Sequence, residues 1–200
     1  MGRRNEHSQE ELVDLVISTT TELLEHSSAS DLSLRKIAKE VGYAPSTLVH
    51  VFNNYNNLLL QVNACTLDEM YQAAVTTQTD AKSADENLKA LAFAYVDYAK
   101  SFPYRWQLVF DHSMAEGEDV PKEHQQRIDR LFNTIETQLI RIKPEGSQAN
   151  IELTARIIWA SIHGVTQLAV NDKLFVAQTV DSTVMLESLL TNYLTGWRNK

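Results

Sequence analysis

The chain has 200 residues, 44% of them hydrophobic, with six glycines, four prolines and a formal charge of −8 at pH 7. This is enough for one domain of ordinary size or for a small domain fused to a larger one, and it is too apolar for a disordered chain. No apolar run approaches the roughly 20 residues of a membrane-spanning helix. The net acidity excludes nucleic-acid binding through a broad basic surface, since that depends on Lys and Arg neutralising phosphates.

The opening stretch carries Arg3 and Arg4, then Glu6, Glu10 and Glu11, with no long apolar run behind them, so it does not read as a secretion signal. The lone Cys65 supports neither an intrachain disulfide nor a cysteine-based metal framework and is expected to serve core packing. A reducing, cytoplasmic setting is the expectation.

Nearly every segment shows the 3.6-residue period, and no alternating strand pattern stands between turn signals, so the chain is expected to be all-α with about nine helices. Ser8 and Glu11 form a capping box ahead of a first helix whose stripe is Leu12, Val16, Thr19 and Leu23, ending near His26. A second helix starts after Ser33, buries Leu34, Ile37, Ala38 and Val41, and stops at Gly42, the residue that best takes a left-handed conformation. Pro45 suits the first turn of a third helix carrying Leu48, Val51 and Phe52 inward; Asn53 and Asn54 end it. A long fourth helix follows with Leu58, Leu59, Val62 and Cys65. Five more are predicted over roughly 84–102, 103–113, 120–142, 149–171 and 179–198. They are separated by Phe102-Pro103, the acidic loop 115–119 before Pro121, Lys143 to Gly146, and a link near Asp172-Lys173. The working boundary is residue 65, dividing an N-terminal domain (1–65) from a C-terminal domain (66–200) with no flexible linker between them.

Locally the charge changes sign: over 33–58 three cations, Arg35, Lys36 and Lys39, face one acid, Glu40. Two short helices joined by Gly42-Tyr43-Ala44 have the proportions of a helix-turn-helix, although spacing alone fits an ordinary αα-hairpin equally well. The outward positions of the second of these helices are Pro45, Ser46, Thr47, Val49 and His50, small and partly polar. Arg35 can reach a phosphate or a guanine edge.

The run from Ser33 to Leu48, followed by Phe52-Asn53-Asn54 and Leu58, resembles the DNA-binding motif of the tetracycline-repressor (TetR) family, whose all-helical chains of about this length match along the whole sequence. The resemblance implies that Arg35, Pro45, Ser46 and Val49 face bases and that Ser33, Thr47, His50 and Tyr55 approach phosphates, with Lys36 part of the same surface. Three positions depart from the family pattern, which usually has an aromatic at Val49, a histidine at Val51 and a lysine at Tyr55. Ala44 stands where a capping serine is common, and alanine cannot cap. The departures imply weaker nonspecific binding and a base preference of the chain's own.

In the C-terminal part Ile151, Ala155, Ile158, Ile162 and Val165 advance by four and three, the seam of a helix packed on another helix, with Leu153, Ile157, Ser161, Gly164 and Leu168 in a second stripe. Leu186, Leu190, Tyr193 and Trp197 give the last helix a matching seam. Burial within one subunit is one reading of these seams. The resemblance implies the other, a four-helix interface between two subunits, which sets two reading helices one DNA turn apart. Trp159, His163 and Gly164, with Phe102-Pro103-Tyr104-Arg105-Trp106, resemble one branch of the family. A largely apolar ligand cavity is expected from Trp159, His163, Tyr95, Tyr98, Trp106, Phe110 and Met114, with simple core filling as the alternative for any one of them.

His112, Glu116, Glu118, Asp119, Glu123 and His124 have no rigid metal-ligand spacing, and no nucleophile elbow, phosphate-binding glycine loop or His-Glu-x-x-His motif is present. No metal, cofactor or catalytic activity is expected. The resemblance therefore points to a homodimeric repressor that binds palindromic double-stranded DNA, is released by a small-molecule effector and has no membrane association. Two alternatives remain: a regulator whose C-terminal domain contacts a protein partner, and a helical enzyme or carrier without DNA binding.

Overall fold

A computed structural model describes residues 7–114, 119–174 and 181–199. Among these residues the secondary structure is entirely helical: α1 (Gln9–His26), α2 (Leu34–Glu40), α3 (Pro45–Phe52), α4 (Tyr55–Thr76), α5 (Ala84–Ser101), α6 (Pro103–Asp111), α7 (Lys122–Ile142), α8 (Gln148–Val170) and α9 (Ser182–Arg198), with a 3-10 turn at Ala29–Asp31. No helix is long and apolar enough to cross a membrane among the described residues. Most of the acidic loop expected at 115–119 and the expected start of the last helix at 179 lie outside the described residues.

Local chemistry explains where the helices begin and end. The Ser8 hydroxyl accepts from the Glu11 amide while the Glu11 carboxylate accepts from the Ser8 amide at 2.7 Å, and these hydrogen bonds hold the Glu11 carboxyl below the ordinary carboxylate range. The hydroxyl of Ser33 caps α2 through the amide of Lys36. Gly42 then stops that helix with φ +75°: its amide donates to the Lys39 carbonyl and the Tyr43 amide to the Ala38 carbonyl at 2.9 Å, which satisfies the last carbonyls of α2. Ala44 precedes α3 without a side-chain cap, and Pro45 sets the first turn.

Contacts divide the chain into two compact bodies, one comprising residues 1–67 with 102–120 and the other 68–101 with 121–200. A single boundary at residue 65 therefore gives way to divisions at three places, because α6 returns to pack on α1 and the 3-10 turn.

The first body is centred on Val16, Leu24, Ile37, Leu48, Phe52, Leu58 and Val62, with Leu108 of α6 inserted among them. The stripe of α1 runs Leu12, Val16, Thr20 and Leu24; the expected Thr19 and Leu23 are only half-buried, because steps of four drift around the helix and the inward phase is set by α2 and α6. Cys65 is half-buried and forms no disulfide. Within this body the carbonyl of Leu108 accepts from the buried Asn63 amide, and His112 lies 3.2 Å from the Asn56 carbonyl, so the end of α6 is fastened to α4 twice.

The second body is a bundle in which α5 contacts α7, α8 and α9 around Leu88, Leu91, Val96, Leu139, Ile158 and Leu190. The buried Asn87 closes the α4–α5 connection, donating to the Thr79 carbonyl and accepting from the Thr79 amide. Gln138 of α7 meets both Asn87 and Arg141 in the same network.

Candidate functional site

Within the first body Leu48 and Phe52 are almost wholly buried and fix the inward face of α3. The helical period then turns Pro45, Ser46, Val49 and His50 outward, and all four are exposed; Thr47 is half-buried. Arg35 and Ser33 are exposed at the start of α2, with Lys36 half-buried beside them and its ammonium 3.5 Å from the Asp31 carbonyl. The expected reading residues thus stand on two adjoining helices of one body.

Tyr55 is the exception. Its ring packs against the core, its hydroxyl is buried without a hydrogen-bond partner among the described residues, and burial raises its pKa. The first turn of α4 directs this ring inward, so the phenol does not take the part of the lysine it replaces. One contact the sequence did not signal lies nearby: His7 Nδ1 is 2.8 Å from the Tyr43 hydroxyl, tying the segment before α1 to the α2–α3 turn. The same body has a cleft of about 350 Å³ lined by Ser28, Asn56, Leu59, Tyr104, Asp111 and His112 among others. Burial lowers the pKa of His112, and the hydrogen bond to Asn56 acts in the opposite direction.

The residues expected to line a cavity divide between the bodies. In the second, the Tyr95 hydroxyl lies 2.8 Å from His163 Nδ1, Trp159 stands against the same imidazole with ring centroids 5.4 Å apart, and Phe132 meets Trp159 edge-on. Burial lowers the pKa of His163, which favours a neutral ring able to accept from Tyr95. Tyr98 belongs to this body but donates to Glu69 at 3.0 Å. Trp106 and Phe110 form an edge-to-face pair in the first body, with Trp106 fully buried, and Met114 follows there. The seven therefore do not form one cluster inside either body; Phe132, which the sequence reading omitted, joins the part that does assemble. Among the described residues no three His, Cys, Asp or Glu side chains converge on a metal position.

The expected subunit seam is corrected by burial. Ile151, Ala155, Ile158 and Ile162 of α8 and Leu186, Leu190 and Trp197 of α9 are all buried in the chain's own core, with Val165 and Tyr193 packed half-buried against it. These side chains hold α8 and α9 to α5 and to each other, and none of the seven buried ones is available to a second subunit. The outer stripe carries the exposed apolar groups instead: Leu153 (59% exposed), Ile157 (39%) and Leu168 (43%), with Val184 (50%) on α9. Gly164 on the same side of α8 and Gly196 on α9 have open space where a Cβ would stand.

A model of the family described as "Tetracyclin repressor-like, C-terminal domain" matches residues 88–193. Sequence comparison with curated proteins finds no match. Among solved structures the fold is similar to that of a protein of unknown function from Rhodococcus sp. RHA1, 18% identical over 98% of each chain with a TM-score of 0.76. It is also similar to PfmR, a TetR family transcriptional regulator from Thermus thermophilus, 13% identical over 90% of this chain and 97% of that one, TM-score 0.61. BioQ, solved with its double-stranded DNA operator, is 21% identical over 96% of this chain and 99% of its own, TM-score 0.66. With more than half its length matched by the family model and its fold similar to these structures, the chain belongs to the TetR family of transcriptional regulators.

Proposed function

We propose that this chain is a cytoplasmic repressor that binds a palindromic operator as a homodimer and leaves it when a small, largely apolar molecule binds the C-terminal body. The observation that carries the DNA reading is the outward face of α3, exposed at Pro45, Ser46 and Val49 beside the basic start of α2, in a chain whose net charge is otherwise acidic. Two such faces, related by a twofold axis, would enter successive major grooves.

The exposed apolar stripe of α8 with Val184 supports the dimer, because apolar area of that kind on a helix face is stabilised by a second copy, and Gly164 and Gly196 permit close approach. Tyr95, Trp159 and His163 supply the aromatic surface and the polar tips for the effector. An effector that favours the released state by a few kcal/mol shifts occupancy substantially. The step envisaged is a tilt of α4 that moves the reading faces out of register.

The test is retention of operator DNA by the Arg35→Ala and Thr47→Ala variants with their folding checked by circular dichroism. Loss of retention with an intact fold is expected; unchanged retention would leave only a helical enzyme or carrier without DNA binding. The mutual engagement of Tyr95, Trp159 and His163 favours one second reading, in which this region is packed shut and the C-terminal body meets a protein instead. A screen of apolar compounds that raises the melting temperature argues against it.

A further inference from the structure

We infer that Val49 reads a thymine methyl group in each operator half-site, an inference that rests on the DNA-binding reading above. The α3 sequence, Pro-Ser-Thr-Leu-Val-His-Val-Phe, contains no Arg, Lys, Asn, Gln, Asp or Glu. It therefore lacks every side chain that pairs bidentately with guanine or adenine or accepts from cytosine. What the helix offers outward is the Ser46 hydroxyl, the half-buried Thr47 hydroxyl, one imidazole, the Pro45 ring at its first turn and one apolar side chain beyond that turn, Val49, which is 45% exposed while its neighbour Leu48 is fully buried.

A single exposed apolar side chain is ordinary on a protein surface, so position has to carry the inference. Val49 lies four residues after Pro45 and three after Ser46, which puts the three on one face of the helix. Its two neighbours are short, so the helix backbone can approach a groove floor closely enough for the short valine to touch it. Arg35 and Lys36 at the start of the adjoining α2 provide the positive charge that a phosphate backbone demands. On the floor of the major groove the one apolar group is the C5 methyl of thymine. Valine is also stiff about χ1 in a helix, which lowers the entropic cost of holding its methyls against one base.

The experiment uses the full-length protein and an operator recovered by selection from random DNA. Each thymine is replaced singly by deoxyuracil, which removes the methyl and leaves base pairing intact. One thymine per half-site is expected to weaken wild-type binding about fourfold when replaced, the worth of one buried methyl group. The same replacement should have no effect on the Val49→Ala protein, which binds the unmodified operator about as weakly as wild type binds the substituted one. Two results overturn the inference: no thymine whose demethylation weakens wild-type binding, or a sensitive thymine whose effect persists in Val49→Ala. Failure of the selection to yield any operator defeats the DNA-binding reading itself, a different outcome from an operator insensitive to deoxyuracil.

Discussion

Neighbouring isoleucines on α8 separate the two jobs of that helix. Ile158 is 1% exposed and sits in the core with Leu91, Leu186 and Leu190, whereas Ile157 is 39% exposed on the outer stripe. Replacing Ile158 with alanine removes the three carbons beyond Cβ. At about 0.8 kcal/mol each that is about 2.4 kcal/mol of transfer energy, to which the cavity adds, giving a loss of roughly 2–5 kcal/mol. The same replacement at Ile157 costs the subunit about 1.5 kcal/mol or less, because two-fifths of that side chain already faces water. Two copies of Ile157 would face each other's subunits across a twofold axis, so the dimer dissociation constant should rise about tenfold or more. Urea unfolding gives the first quantity and sedimentation equilibrium the second. A greater weakening of the dimer by Ile158→Ala than by Ile157→Ala, or equal losses of stability with no change of mass in either variant, would contradict this division of roles.

Two further outcomes follow from backbone and titration. Gly42→Ala should destabilise the chain by about 1–2 kcal/mol, since φ +75° is costly for any residue with a Cβ even where space is open; an unchanged urea midpoint would contradict it. His163 and His112 are both held below their ordinary value of 6.5 by burial, so the unfolded chain binds more protons than the folded one and stability rises with pH. Their contribution is complete above about pH 6.5 and is lost as pH falls through the lowered folded values. Unfolding midpoints measured across that interval should decline toward acid in the wild type and decline less in His163→Gln.

The sequence made legible whatever is set within a few residues. Ser8, Ser33, Gly42 and Pro45 mark helix ends by chemistry that acts on adjacent amides and carbonyls, and the structure uses each of them so. Periodicity gave the two stripes of α8 but not their destinations, because an apolar stripe carries no label for its partner. A usable sign was present: Ser161 and Gly164 interrupt one stripe with small groups, while the Ile151 to Ile162 stripe is apolar throughout and matches Leu186, Leu190 and Leu194 on α9. The short helix α6 shows the same limit. Nothing in Pro103 to Asp111 says that it packs with α1, and Trp106 and Phe110 belong to the first body for that reason. Motif position alone puts Tyr55 near phosphates, whereas its ring is long and apolar enough to be taken into the core.

The central claim is that α3 with the start of α2 reads DNA. Its most direct test is selection of DNA from random or genomic fragments by the purified full-length protein, repeated at two salt concentrations. The account predicts a recovered palindrome whose half-sites lie about one helical turn apart, bound more weakly at the higher salt by an amount set by a small number of phosphate contacts. Enrichment of no sequence at either salt concentration would contradict it.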